Sequence, residues 1–402
     1  MEHLNKPPRI VIIDSLRGFA LAGVALVHVT EQYLAGPAPE GFMEGLNGIP
    51  DNIIQGIIGF FFIGKFYAIF SILFGLSFAI QMESAAKKGG DFSLRFLWRA
   101  VLLFIIGYVH QLFYRGDILT IYALLVPLLI PFDKVDNKVI LGVAALCFLG
   151  IPRFISFAVF GNESIFGLPS GFQNELSEAY YQTIKSGSLT EVFTQNAVYG
   201  MKTKMDFQLQ FFGRFYYTFG YFLLGLWLGK IGLFKNMQEN RPFVRKILKW
   251  AALGLLGAFV LTAIGFSTAP QPINFSSWHH IIAYNFTGWA NLALAIIITC
   301  AFILLYPKPG WHPGLSFFAP FGRMALTNYV GQSIIGTFIF FGWGLGLIGE
   351  VRTLYLFFIA IVLIVLQTVF SKYWLQYFKY GPLEWLWRSG TYLKWQPLRK
   401  EE

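Results

Sequence analysis

The sequence is poor in charge. Only 13% of its 402 residues are Asp, Glu, Lys or Arg, about half the share of an average soluble protein, near a quarter. That scarcity, with 55% hydrophobic residues and a mean hydropathy of +0.56, excludes an ordinary soluble globular fold. Cysteine is almost absent. Cys147 and Cys300 lie inside apolar runs and read as small core residues, which leaves no disulfide framework and no metal site. The ten-residue alternation of a membrane β-barrel is missing. So are a phosphate loop, a dinucleotide glycine fingerprint, His-Glu-x-x-His and Cys-x-x-Cys, and no metal is expected.

What is present is a series of apolar runs, each long enough to cross a hydrocarbon core of about 30 Å. The pattern predicts an all-α polytopic membrane protein with about ten spans. They fall near 10–30, 53–81, 95–114, 117–132, 138–160, 207–229, 246–267, 278–305, 316–341 and 352–372. Lys and Arg exceed Asp and Glu by ten, but they cluster in short loops, as cytoplasmic loops do, so no nucleic-acid partner is expected. Lys6 and Arg9 precede the first span, Lys87 and Lys88 follow the second, and Lys230 through Lys249 follow the sixth. Glu31, Glu40, Glu44 and Asp51 stand alone in the first loop. Both termini are therefore expected in the cytoplasm. The first apolar segment lacks a small-residue cleavage site and is expected to stay as an anchor.

One membrane domain follows. Residues 1–160 form an N-terminal five-span half, 161–206 an extracytoplasmic loop with a helical stretch at 174–184, and 207–402 a C-terminal five-span half. A loop of that length reads as a lid or binding element, or as an excursion along the bilayer. The Trp-rich basic tail from Gly381 to Pro397 suits a helix in the cytoplasmic interface. Gly64-Lys65-Phe66-Tyr67 recurs as Gly213-Arg214-Phe215-Tyr216, too short a match to claim a duplication.

Ionisable residues inside these spans carry the functional signal, because such groups usually face a bundle interior or a wet cavity. The first span holds Asp14, Arg17 and His28. Eleven helical residues turn through about 20° beyond three full circles, so Arg17 and His28 share a face roughly 16 Å apart. Asp14, one turn before Arg17, can pair with it. His28, His110, Arg115 and Asp117 are expected near the outer boundary, Lys65 near the midplane, and Arg323, Asn328 and Gln332 in the inner half of the ninth span. A histidine beside a carboxylate suits general-base work, and His28 with Asp117 or Glu31 would make such a pair. Plainer readings stand beside these: an interfacial role for His28, His110 and His279-His280, a turn-closing ion pair for Arg115 and Asp117, and a structural lock for Asp14 and Arg17.

The opening Asp14-Ser-Leu-Arg17-Gly18-Phe19-Ala20 resembles the D-x-L-R-G start of YeiB-like membrane proteins and the wider transmembrane acyltransferase superfamily. Similar signatures are Lys65-Phe66 through Leu73-Phe74-Gly75, Gly116-Asp117-Ile118-Leu119, Gly322 through Tyr329, and Gly381-Pro-Leu-Glu-Trp-Leu-Trp-Arg388. Arg17-x10-His28 is similar to the Arg/Lys-x10-His motif of membrane acyltransferases that modify cell-surface glycans. The resemblance implies a multi-pass protein of a bacterial plasma membrane. It would move an acyl group, most simply acetyl, from cytoplasmic acyl-CoA to a cell-surface acceptor.

In that reading His28 is the general base, with His110 as the other histidine and Asp117 orienting one of them. Arg17, Lys65 and Arg323 hold the anionic donor, and Asp14 orients Arg17. The alternatives are a transporter or exporter with polar residues along its path, and a purely structural membrane factor.

Overall fold

The computed structural model describes residues 10–36, 38–39, 41–87, 92–161, 163–166, 172–270 and 277–400. Lys6, Arg9, Glu40 and Lys88 lie outside the described residues. The described chain is helical throughout, with no strand. In order, the helices are α1 (Val11–Thr30), α2 (Ile49–Phe61), α3 (Phe66–Ala86), α4 (Ser93–Phe113), α5 (Leu119–Leu129), α6 (Asn137–Phe148), α7 (Ile151–Phe160), α8 (Phe172–Ser186), α9 (Leu189–Gln195), α10 (Met201–Asp206), α11 (Arg214–Lys230), α12 (Arg241–Thr268), α13 (Trp278–Leu305), α14 (His312–Ser316), α15 (Ala319–Arg323), α16 (Ala325–Phe340), α17 (Thr353–Tyr377) and α18 (Pro382–Tyr392).

Among the described residues, six helical segments are long and apolar enough to cross a membrane, and a seventh if the bent pair α6–α7 counts as one span. The ten expected spans all find helical counterparts, but α5, α11 and α16 fall short of that length. On α17, Phe358, Val362, Leu366, Phe370 and Tyr373 form one exposed apolar stripe, and on α12 Trp250, Leu253, Leu256 and Val260 are exposed. Apolar faces of this size are the surface a bilayer covers.

Three expected spans are interrupted. The second breaks at 62–65, where Gly64 has φ +84°, a conformation that costs a residue with a Cβ dearly. The fifth bends by 47° between α6 and α7. The ninth breaks at Met324, between α15 and α16. The sixth begins later than expected: 207–211 closes a helical run from Leu189 that includes two π-helical turns, Asn196–Gly200 and Phe207–Phe211. Gly213, at φ +57°, then starts α11.

Close backbone approach holds the centre together. A Cβ on Gly18 would lie 2.0 Å from the Phe318 carbonyl, and one on Gly322 would lie 1.9 Å from the Asp14 carbonyl, so α1 and α15 touch main chain to main chain. The α3–α11 crossing is reciprocal. Gly75 abuts the Phe222 carbonyl and Gly225 abuts the Ile72 carbonyl, each at 2.0 Å from an added Cβ. Small residues at such crossings are the usual device for packing membrane helices without a hydrophobic driving force. A second apolar cluster roofs the His28 end of α1: Val29 and Tyr33 meet Tyr114, Tyr180, Ile184 and Phe340.

Candidate functional site

One face of α1 lines a cavity of about 710 Å³. Leu21, Val24, His28 and Glu31 recur at helical spacing along it, and the same stripe continues one turn down to Arg17. The opposite wall is the helical run after Leu189. There Gly200, Thr203, Lys204, Phe207 and Gln208 present one face, spaced by three and four. The break at 62–65 and the start of α11 close the sides through Phe62, Gly64, Tyr67 and Arg214, and tyrosines 114, 122, 221, 284 and 329 supply much of the remaining surface.

His28 and Asp117 both line this cavity, but they do not pair. Asp117 takes His110 instead, with Nδ1 2.8 Å from its Oδ1. The reason is local. Asp117 sits just before α5 and accepts from the Leu119 N–H at 3.1 Å, the Thr120 N–H at 2.9 Å and the Thr120 hydroxyl at 2.8 Å. This caps the helix and aims the carboxylate back at α4. Lys204 completes the cluster, 3.6 Å from Asp117 Oδ2, donating to Thr120 Oγ1 at 2.7 Å and to Gln111 Oε1. Burial pushes the Lys204 amine down to about 8, while Asp117 works to hold it up. His28 lies among tyrosine rings: Tyr114 at 5.0 Å, Tyr33 at 5.6 Å and Tyr329 at 6.2 Å between centroids. Its buried Nδ1 has no hydrogen-bond partner among the described residues.

The turn-closing pair of Arg115 and Asp117 does not form either. Arg115 turns the other way, its guanidinium 3.5 Å over the Tyr180 ring and its Nε donating to the Leu34 carbonyl at 3.2 Å.

At the other end of α1 the expected pair is present. Arg17 Nη1 lies 2.9 Å from Asp14 Oδ1 and Nη2 donates to Ser77 Oγ at 2.9 Å. Arg323 closes α15 at this same end, next to the Gly322–Asp14 contact. Lys65 does not join them. It is the N-cap residue of α3, at the break inside the candidate span Ile49–Ala86, and its ammonium donates to the Gly59 carbonyl at 2.9 Å. Ser77 is twelve residues further along α3, about 18 Å away by helical rise. The positive φ at Gly64 breaks the helix just before Lys65, and the lysine reaches the carbonyl six residues back. Arg17 and Lys65 therefore meet α3 at points about 18 Å apart along its axis.

Sequence reasoning passed over Lys204, Gln208 and Arg214 as site residues. Arg214 had a signal, the short Gly-Lys-Phe-Tyr and Gly-Arg-Phe-Tyr match. Both glycines hold positive φ, both precede the start of a helix, and Gly64 and Arg214 both reach the cavity. Lys204 and Gln208 lay in or beside the segment read as a loop.

The comparisons agree with these observations at the level of the whole chain. An uncharacterized protein, YxaH, of Bacillus subtilis is 32% identical over 98% of this chain and 96% of its own. An uncharacterized 39.9 kDa protein of Bacillus acidopullulyticus is 30% identical over 100% and 99%. The uncharacterized protein YeiB of Escherichia coli is 26% identical over 95% and 96%. The family model described as "Protein of unknown function (DUF418)" matches residues 228–394.

The chain belongs to the YeiB-like DUF418 family. Two of the signature stretches fall inside the DUF418 match, and the structure gives them a joint task. Glu384 accepts from the Leu326 N–H at 2.7 Å, the Thr327 N–H at 3.1 Å and the Thr327 hydroxyl at 2.6 Å, and Thr327 Oγ1 accepts from the Leu383 N–H at 3.0 Å. Glu384 thus satisfies the orphan donors of α16 from another helix. Trp387 donates to the Arg99 carbonyl at 2.9 Å and stacks 4.1 Å beneath the Arg99 guanidinium, tying the tail helix α18 to α4.

Proposed function

We propose that this DUF418 protein is a membrane acyltransferase whose acceptor site is the cavity at the His28 end of α1. The observation that carries the reading is the stripe on α1. His28 and Leu21 both line the cavity, and Arg17 lies one turn, roughly 6 Å, beyond Leu21 along the same face. A donor reaching up from the cytoplasmic end would meet Arg17 before an acceptor held near His28. The resemblance of Arg17-x10-His28 to the acyltransferase motif supports the same division of labour.

His28 would take the proton of an acceptor hydroxyl as its oxygen attacks the thioester carbonyl. An ester bond forms, the carbon–sulfur bond breaks, and the proton leaves with the CoA thiol. Arg17 and Arg323 are the cations placed at the donor end. Lys65 is too far along α3 to share that role. His110 and Asp117 would set the cavity wall rather than act on the substrate.

A second reading, a transporter, is favoured by one observation. Two helical runs are interrupted at glycines of positive φ, at Gly64, which lines the cavity, and at Gly213, between the cavity residues Phe212 and Arg214, which is the arrangement transporters use to expose helix ends to a substrate.

The test is acetyl-CoA consumption by the purified protein in nanodiscs, with and without a membrane extract as acceptor source. Acyl transfer requires consumption by the wild type and a loss of about a hundredfold in His28→Ala. A folded wild type that never consumes acetyl-CoA, yet binds solutes in the cavity, would favour transport.

A further inference from the structure

The cavity wall carries an excess of positive charge. Its cations are Arg115, Lys204 and Arg214, and its carboxylates are Glu31 and Asp117. Lys204 is committed to Asp117, and Arg115 to Tyr180 and the Leu34 carbonyl. Arg214 has no carboxylate within 4.0 Å among the described residues. The Tyr67 hydroxyl takes a hydrogen bond from it and Glu31 attracts it from further off, while ring faces flank it, with the guanidinium carbon 4.2 Å from the Tyr67 centroid and 5.6 Å from that of Phe207. Stacking holds a guanidinium in place while its edge, with five N–H donors in a fork that fits carboxylate or phosphate, stays available. Its position adds to this. Arg214 is the first residue of the 17-residue helix α11, so its charge and the positive end of the helix dipole fall on the same side of the cavity.

A second observation is independent of the charge. Gln208 is 5% exposed, lines the cavity, and its Oε1 has no hydrogen-bond partner among the described residues. A buried amide oxygen left unsatisfied costs about 1–3 kcal/mol. A ligand hydroxyl would supply the missing donor.

We propose that the cavity binds a hydroxylated anion, a phosphate- or carboxylate-bearing polyol, with its acid group on the Arg214 guanidinium and a hydroxyl on Gln208. A further hydroxyl then lies toward His28, and the tyrosine faces cover the apolar C–H surface. The inference rests on the reading that the cavity is a substrate site, and it names the class of that substrate; it does not need the reaction to be acyl transfer. The chemistry is shared by a soluble polyol phosphate and by the headgroup of an anionic glycerolipid.

The experiment uses the full chain in phosphatidylcholine nanodiscs. One arm titrates sn-glycerol 3-phosphate, with glycerol as the neutral control, by calorimetry. The other replaces part of the phosphatidylcholine with phosphatidylglycerol and reads thermal stability. Wild type is expected to respond to the anion in one arm and to ignore glycerol. Arg214→Gln should weaken that response about tenfold or more, the loss of a charge-assisted contact. Arg214→Lys, which keeps the charge but loses the stacked fork, should fall between wild type and Arg214→Gln and controls for folding. The responding arm identifies the soluble or the lipid source. No response to either anion by folded wild type, or a response unchanged in Arg214→Gln, overturns the proposal. Acetyl-CoA consumption measured on the same samples separates the two claims: anion binding without consumption removes acyl transfer alone, and consumption without anion binding removes this proposal alone.

Discussion

The two ends of α1 treat their polar groups in opposite ways. At the Arg17 end the groups are spent on each other: Arg17 bonds Asp14 and Ser77, and α15 presses its backbone onto the helix. At the His28 end they border a space. Among the described residues, His28 packs on tyrosine rings, Gln208 leaves an oxygen unsatisfied, and Arg214 has no carboxylate within 4.0 Å. Buried polar groups are normally satisfied, so unsatisfied ones gathered around a cavity mark where a ligand belongs. The Asp117 cluster stands between the two kinds. It borders the cavity, yet its hydrogen bonds are nearly all internal.

The sharpest way to break this comparison is topological, because its outcome is all or none. With the His28 end outside, Ser186→Cys should react with an impermeant thiol reagent in intact cells, and Lys87→Cys and Lys394→Cys should not. Labelling at Lys87 with protection at Ser186 would invert the two ends and reverse the donor and acceptor assignments, and labelling at Lys394 would mean an odd number of spans and overturn the depth assignments.

Next in size is Asp117→Ala. It strands the buried His110 and Lys204 and uncaps α5, so a loss of about 3–5 kcal/mol is expected, read as a fall in denaturation midpoint. Asp117→Asn, which keeps part of the cap, should lose less. A neutral outcome for Asp117→Ala would mean the cluster is not structural. His28→Ala should behave in the contrary manner, with a denaturation midpoint near wild type and acyl transfer down about a hundredfold. Equal damage to stability at both positions would erase the distinction between cluster and cavity.

The Arg17 pair offers a smaller effect. Arg17→Ala leaves Asp14 without this partner and should cost about 1–3 kcal/mol. Adding Asp14→Asn should recover part of it, and strict additivity would deny the pair. Smallest is Glu384→Gln, which weakens a cap on α16 at a cost of about 1 kcal/mol, measurable in the same unfolding assay.

Much of the architecture was legible because hydropathy and helical spacing act over long stretches. The apolar runs, the Asp14–Arg17 pair and the helical stretch near 174–184 depend on local periodicity, and each has its counterpart in the structure. What sequence could not supply was partner choice across the fold. The sequence pointed to His28 with Asp117 or Glu31, and it is the cap on α5 that turns the Asp117 carboxylate toward His110. Lys65 looked stranded at mid-span because nothing in the hydropathy of 53–81 announces the break that Gly64 permits. Lys204 and Gln208 were hidden because their segment is polar by composition, and only its docking against α1 makes it a cavity wall. Arg214 was visible in the four-residue match, whose meaning came only with the shared positive φ of Gly64 and Gly213.

The division of α1 into a donor end and an acceptor end is tested most directly by acetyl-CoA binding to three proteins: wild type, Arg17→Ala and His28→Ala, each judged folded before use. Thermal stabilisation by the donor reports binding to the native state. Wild type and His28→Ala should be stabilised alike, and Arg17→Ala should lose most of the shift. No stabilisation of wild type, or a shift lost in His28→Ala and kept in Arg17→Ala, would contradict the assignment.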